Sequence, residues 1–195
     1  MSERTATIER KTGETDVTVD LTLDGTGDCQ ISTGRGFFDH MLHAVGKHGR
    51  FDLELSCDGD LEVDDHHTVE DCSLGLGAAF DEALGDRTGI ERFGHGYAPL
   101  DEALARVVVD LSGRPYAVVD LGLERERIGE VACENLGHVF ESFAAEARAA
   151  VHVDVLRGDN DHHRAEASFK AFALAMRRAV RQTGSGDVPS TKGVL

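Results

Sequence analysis

A five-residue pattern, His-His-x-x-Glu, occurs twice in this chain, as His66-His67-Thr68-Val69-Glu70 and as His162-His163-Arg164-Ala165-Glu166. The two copies sit inside a longer internal repeat, and a repeat of that length obliges the chain to fold as two like units. Phe38-Asp39-His40-Met41 is echoed by Leu136-Gly137-His138-Val139, and Asp52-Leu53-Glu54-Leu55 by Val151-His152-Val153-Asp154. Thr12-Gly13-Glu14-Thr15, followed by Val17, Val19, Leu21 and Leu23, is matched by Ser112-Gly113-Arg114-Pro115, followed by Val118, Val119, Leu121 and Leu123. Both halves read in one order: strand, turn, strand, a helix carrying one histidine, strand, then a helix opened by the twin motif. The halves divide at roughly 1–95 and 96–195. Neither is comfortable alone, so a single domain over residues 1–195 is expected, with its halves packed about a pseudo-twofold axis.

Periodicity supports these elements. Residues 15–24 alternate polar and apolar as a half-buried strand does, and residues 105–111 form a more continuous apolar run that suits a central strand. Phe37, Met41, Ala44, Val45 and His48 share one helical face, with His40, His43 and Lys47 on another. Cys72, Leu76, Ala79, Phe80 and Ala83 make the buried stripe after the first motif. Phe169, Phe172, Ala173 and Met176 do so after the second. Each half is predicted to be a sheet with two helices on one face, which makes the fold an α+β sandwich.

On a helix, the first histidine and the glutamate of the motif stand at i, i+4, and the second histidine and the glutamate at i, i+3, so imidazole and carboxylate can converge. The repeat supplies eight candidate ligands: His40, His66, His67 and Glu70, then His138, His162, His163 and Glu166. Two ions could each take three histidines and one carboxylate and keep positions open for substrate or water. Successive helical side chains diverge by about 100°. His66 and His67 should therefore serve different ions, as should His162 and His163. Each ion then draws on both halves, and its ligands need not come from one subunit. The nitrogen-rich set favours Mn, Fe or Zn over Mg or Ca. His43, His95 and His152 read as surface or hydrogen-bonded residues. Asp64, Asp65 and Asp161 read as helix caps or as groups that orient the ligands.

Charge narrows the function classes. Asp+Glu 36 against Lys+Arg 20 gives a net charge of −16, a field that repels DNA and RNA. Lysine is confined to Lys11, Lys47, Lys170 and Lys192, and the acidic surface suits a halophile's salt-rich cytoplasm, where counterions screen self-repulsion. No stretch approaches the roughly 18 apolar residues of a membrane span, and the polar N-terminus lacks a signal-peptide core. Cys29, Cys57, Cys72 and Cys133 show no C-x-x-C pairing and read as reduced thiols of a cytoplasmic protein. In so acidic a chain, Arg92, Arg114, Lys170 and the tail Pro189-Ser190-Thr191-Lys192-Gly193 are candidates for gripping an anion such as phosphate.

Several longer segments carry a family resemblance. They are Phe37-Phe38-Asp39-His40-Met41-Leu42, His48-Gly49-x-Phe51-Asp52, Asp64-Asp65-His66-His67-Thr68-x-Glu70-Asp71 and Leu100-Asp101-Glu102-Ala103-Leu104. With them go Asp110-Leu111-Ser112-Gly113-Arg114-Pro115, His162-His163-x-x-Glu166-Ala167-x-Phe169-Lys170-Ala171-Phe172 and the tail from Pro189. From about Glu9 to Leu195 the chain resembles the imidazoleglycerol-phosphate dehydratases, differing in a shortened loop before Pro189 and in its acidic surface. The resemblance implies removal of water from D-erythro-1-(imidazol-4-yl)glycerol 3-phosphate to give 3-(imidazol-4-yl)-2-oxopropyl phosphate. It implies a duplicated fold of the ribosomal protein S5 domain 2-like type and a homo-oligomer of 24 subunits built from trimers. Two Mn²⁺ per active site would occupy the eight ligand positions, in sites between subunits. Glu14, His66 and His162 would be catalytic. Substrate contacts would fall to these and to His40, His48, Glu70, Arg92, Arg114, Glu166, Lys170, Ser190, Thr191 and Lys192.

The chemistry is consistent with such a site. The proton to be removed sits on a carbon with no adjacent carbonyl and is poorly acidic. An imidazole that lost its ring proton and bridged the metals could expel the hydroxyl beside it. The neighbouring C–H would then be acidic, and its loss would leave an enol that becomes the ketone. Two rivals use the same ligands: a dinuclear hydrolase of a phosphorylated metabolite, which needs a bridging water, and a non-catalytic metal-storage protein. The tail and the Gly13-Glu14 turn count against the second.

Overall fold

The computed structural model describes residues 4–193 and Leu195. The first half runs β1 (Thr5–Lys11), β2 (Thr15–Thr22), β3 (Cys29–Ser32), α1 (Gly36–Gly49), β4 (Asp52–Gly59) and α2 (His66–Leu84). The second runs β5 (Phe93–Leu100), β6 (Ala103–Asp110), β7 (Tyr116–Asp120), the short pair β8 (Arg127–Ile128) and β9 (Val131–Ala132), α3 (Cys133–Glu146), β10 (Ala150–Arg157) and α4 (Asp161–Ala179). The two four-stranded sheets are wired identically, β1-β2-β4-β3 and β5-β6-β10-β7. In each, the first three neighbours pair antiparallel and the last pair is parallel. The α+β class and the repetition of a sheet with two helices are as predicted.

Two details of the predicted repeat are corrected. Each half places three strands of its four-stranded sheet, not two, ahead of its first helix, and the second half adds the separate β8–β9 pair. The extra ones, β3 and β7, are edge strands of four and five residues, too short for their alternation to register in the sequence. The second correction concerns a turn. Thr12–Thr15 caps the β1–β2 hairpin, whereas Ser112–Pro115 links β6 to β7, so the counterpart of the first turn is Asp101-Glu102 between β5 and β6. Glycine-bearing turns resemble one another wherever they fall, and composition alone misaligned these two. The apolar run of β6 also hides an alternation, with Ala105, Val107 and Val109 buried while Val108 faces out.

Helices α1 and α2 cover one face of the first sheet and α3 and α4 one face of the second, while α1 packs on α4 and α2 on α3. The result is a sheet–helix–helix–sheet stack with one hydrophobic cluster drawn from both halves. Phe80 of α2 meets Phe143 of α3 edge-on at 5.3 Å between centroids. The outward sheet faces differ sharply. One row across the first sheet reads Thr7, Asp20, Glu54 and Gln30. The second sheet exposes Phe93, Tyr97, Val108, Tyr116 and Val118. Among the described residues no helix is long and apolar enough to cross a membrane, and all four cysteines are free.

Glycines set how closely α4 can approach β5. A methyl group added at Gly94 would collide with the carbonyl oxygen of Ala175, and one at Gly96 with that of Ala171. Because α4 carries the second motif, this spacing also fixes the height at which His162 and Glu166 stand. Gly94→Ala is expected to destabilise the fold by about 1–3 kcal/mol through overpacking, read as a lowered urea midpoint.

Candidate metal centre

The two motifs open α2 and α4, and local caps fix where each begins. Asp64 Oδ1 accepts the His66 backbone N–H at 2.7 Å, and Asn160 Oδ1 accepts that of His162 at 2.9 Å. Each helix then presents a histidine and a glutamate one turn apart, and a histidine from the other half meets them. His40 of α1 joins His162 and Glu166 of α4, and His138 of α3 joins His66 and Glu70 of α2. In each trio, one ligand atom per residue lies within 4.8 Å of the others. His40 Nε2 and His162 Nε2 both stand 3.1 Å from Glu166 Oε2, and His138 Nε2 stands 3.0 Å from Glu70 Oε1. Two imidazoles and one carboxylate form a borderline donor set that fits Mn, Fe or Zn better than Ca or Mg.

His67 and His163 join neither trio. Their ring centroids lie 5.9 and 6.1 Å from those of His66 and His162. The expected three histidines and one carboxylate per ion therefore resolve, within one chain, into two histidines and one carboxylate, with the third histidine aimed elsewhere. His67 Nδ1 lies 3.0 Å from Asp60 Oδ2, and His163 Nδ1 2.8 Å from Glu102 Oε2. The Asp60 hydrogen bond, with help from Glu14, raises the proton affinity of His67. At Glu166 burial opposes the charge, but Lys170 Nζ at 2.6 Å, His40 and His162 outweigh it and hold the carboxyl at about 2.

Asp65 and Asp161 are buried and do not cap their own helices by side chain; Asp65 reaches across to the second half, and Asp161 to the segment between β7 and β8. Asp65 Oδ2 accepts the Ala132 N–H at 2.8 Å and Asn135 Nδ2 at 2.9 Å. Asp161 Oδ2 accepts the N–H groups of Glu124 and Arg125 at 3.0 and 2.7 Å. Asn135 Oδ1 in turn stands 3.0 Å from His66 Nδ1, so Asp65 orients His66 through Asn135. Asn135 was missed in the sequence, although it lies three residues before His138, on the same helical face. In the other half its place is taken by Phe37, whose ring meets His162 edge-on at 5.1 Å.

Glu14 occupies the β1–β2 tip, and its Oε1 lies 3.6 Å from His67 Nε2. Asp71, next to the candidate ligand Glu70, pins that hairpin to α2 by accepting Arg10 Nε at 2.8 Å and bonding the hydroxyls of Thr12 and Thr15. Lys170 is paired with Glu166 and is no free cation. Burial and nearby Lys170 lower the proton affinity of His48. The other predicted anion contacts gather elsewhere. Arg92 binds Asp110 at 2.7 Å and the Pro189 carbonyl at 2.7 Å, and its N–H donates to Ala179 O, at the C-terminal end of α4. His162 sits at the opposite end of that helix, about 25 Å away at 1.5 Å per residue. Arg114 is on the β6–β7 link, and Ser190, Thr191 and Lys192 follow Pro189. Apart from Lys170, the chain thus keeps its anion-binding candidates away from its own α4 trio. A cavity of about 790 Å³ opens over the other trio, lined by His66, His138, Asn135 and Glu141 among others. His43, His95 and His152 lie outside both trios, as expected.

A family model for imidazoleglycerol-phosphate dehydratase matches residues 33–176. The imidazoleglycerol-phosphate dehydratase of Salinibacter ruber is 57% identical over 195 residues, covering 100% of this chain and 96% of that protein. That of Phytophthora nicotianae is 59% identical over 192 residues, and this chain spans 42% of its length. A crystal structure of IGPD from Pyrococcus furiosus in complex with (S)-C348 superposes with a TM-score of 0.84 at 36% identity, covering 96% of this chain and 100% of that one.

Proposed function

The chain belongs to the imidazoleglycerol-phosphate dehydratase family and carries out the dehydration step of histidine biosynthesis, and on that footing we propose how its residues divide the reaction. Two Mn²⁺ serve each active site. One is held by His40, His162 and Glu166, the other by His66, Glu70 and His138, and each set is completed by His67 or His163 of a neighbouring subunit. The observation that carries this is the separation of the paired histidines, which leaves one of each pair outside the trio its neighbour joins, with its Nδ1 on Asp60 or Glu102. Bound there, the ions would supply Lewis acidity and a template for the substrate's imidazole.

The remaining work belongs to side chains. Glu14 is the base: once the hydroxyl beside the ring has left, its carboxylate takes the proton from the next carbon. It returns that proton to the ring-side carbon as the enol becomes the ketone, and the proton the enol hydroxyl gives up balances the one with which the departing hydroxide leaves as water. His66 and His162 hold the reacting end of the substrate, with His48 and Lys170 beside the α4 trio. Arg92, Arg114, Ser190, Thr191 and Lys192 bind the phosphate. Because they lie at the far end of α4 from its trio, they serve a site built from more than one subunit.

The assembly is a 24-mer of trimers, and the apolar outer face of the second sheet is the surface best suited to meet another copy. The halves are related by a pseudo-twofold axis within one S5 domain 2-like domain, and identical sheet wiring supports this. The acidic first-sheet face suits the cytoplasm of a halophile. Metal-stripped protein at high salt should not turn over imidazoleglycerol phosphate, and added Mn²⁺ should restore it. Full activity without metal would refute the two-ion site.

A further inference from the structure

The β5–β6 turn is tight, with Asp101 at a φ of 46°, and it carries Glu102, which has no part in the two trios. Its two oxygens do different things. Oε1 accepts the backbone N–H groups of Asp159 and Asn160, at 3.2 and 2.9 Å, just before α4. Oε2 stands 2.8 Å from His163 Nδ1. An ionised carboxylate only accepts, so the proton of the neutral ring must sit on Nδ1, which leaves the Nε2 lone pair free. Asp60 repeats this at the other outlying histidine, its two oxygens 3.2 and 3.0 Å from His67 Nδ1. The two carboxylates come from different places, one from a hairpin tip and the other from the segment after β4, yet each meets the same ring nitrogen.

We propose that Glu102 and Asp60 are positioning residues that fix the tautomer and orientation of His163 and His67, so that each presents Nε2 to an ion held by another subunit. The inference rests on the two-ion site proposed above. The two carboxylates differ in what they tolerate. Glu102 must accept at both oxygens, and an amide accepts at only one. A glutamine there either turns its NH₂ toward His163 Nδ1, forcing the proton to Nε2, or turns it against the two backbone N–H groups. The Asp60 side chain meets only His67 among the described hydrogen bonds, so an asparagine can rotate its oxygen to Nδ1 and keep the tautomer.

The test uses the full-length protein. Glu102→Gln, Asp60→Asn and Asp60→Ala are titrated with Mn²⁺, bound metal per chain is counted by mass spectrometry, and melting is followed in excess chelator. The wild type should bind two ions per chain. Glu102→Gln and Asp60→Ala should each weaken one of the two by roughly 10–100-fold. Asp60→Asn should bind both as the wild type does, with melting in chelator unmoved in both Asp60 variants and lowered in Glu102→Gln by too little to account for its lost metal. Unchanged affinity in Glu102→Gln would overturn the inference. So would a fall in its chelator melting temperature that accounts for the lost metal, because Glu102 would then only pin the start of α4. Equal losses in Asp60→Asn and Asp60→Ala would overturn the tautomer argument. A wild type that binds fewer than two ions would instead refute the two-ion site beneath it.

Discussion

Glu14→Gln should lower turnover by roughly 10²–10⁴-fold while metal content and assembly stay at wild-type levels. The substitution keeps the shape of the side chain and removes only its capacity to take a proton. The hairpin that carries it is held from elsewhere: Asp71 grips Arg10, Thr12 and Thr15, and the Glu14 carbonyl accepts the Asp60 N–H at 3.1 Å. None of these contacts uses the Glu14 carboxylate, so a glutamine there should leave the turn in place. Steady-state kinetics with metal counting on the same sample would decide the matter. A variant that turned over at the wild-type rate would remove Glu14 from the mechanism.

The second large effect is expected at Glu166. Its carboxylate is shared by His40, His162 and Lys170, so Glu166→Gln takes away a ligand and leaves a lysine beside two imidazoles. One ion of the two should be lost, and activity should fall by roughly a thousandfold, equivalent to about 4 kcal/mol of lost transition-state stabilisation. Stability should change as well. The folded carboxyl sits at about 2, below its ordinary 4.5, although burial pushes the other way. A depressed carboxylate contributes stability that is complete above the ordinary value and is lost as pH falls toward the folded one. In metal-free protein, the wild type should therefore exceed Glu166→Gln by about 3 kcal/mol near neutrality, and that gap should shrink below about pH 4.5. Urea midpoints across that range would measure it. A constant gap would place the effect in packing rather than in charge.

Much of this was legible before any coordinates. The twin motif announced the duplication, helical divergence separated His66 from His67, and the buried stripes of α2 and α4 followed from spacing alone. What escaped the sequence shares a physical cause. Asp60, Glu102 and Asn135 act on residues 7, 61 and 69 positions away, and the first two sit in turns or links where no periodicity marks a side chain. β3 and β7 were lost because short edge strands carry too few residues to show an alternation. The hairpin tips were misaligned because a glycine turn signals a change of direction without saying which strands it joins. The pairing of Arg92 with Asp110 and of Lys170 with Glu166 was hidden too, since a sequence counts charges without showing their partners.

Each trio takes ligands from both sides of the duplication: His40 with His162 and Glu166, and His138 with His66 and Glu70. Neither half could hold such an ion by itself. A half-length chain would need a second copy of itself to assemble such a trio, whereas here the encounter is intramolecular. Ions held there would act as rivets across the seam, added to the hydrophobic core that both halves share. A backbone cut in the connection between α2 and β5 would leave two fragments joined by that core and by the two ion sites, and a chelator should loosen them without parting them.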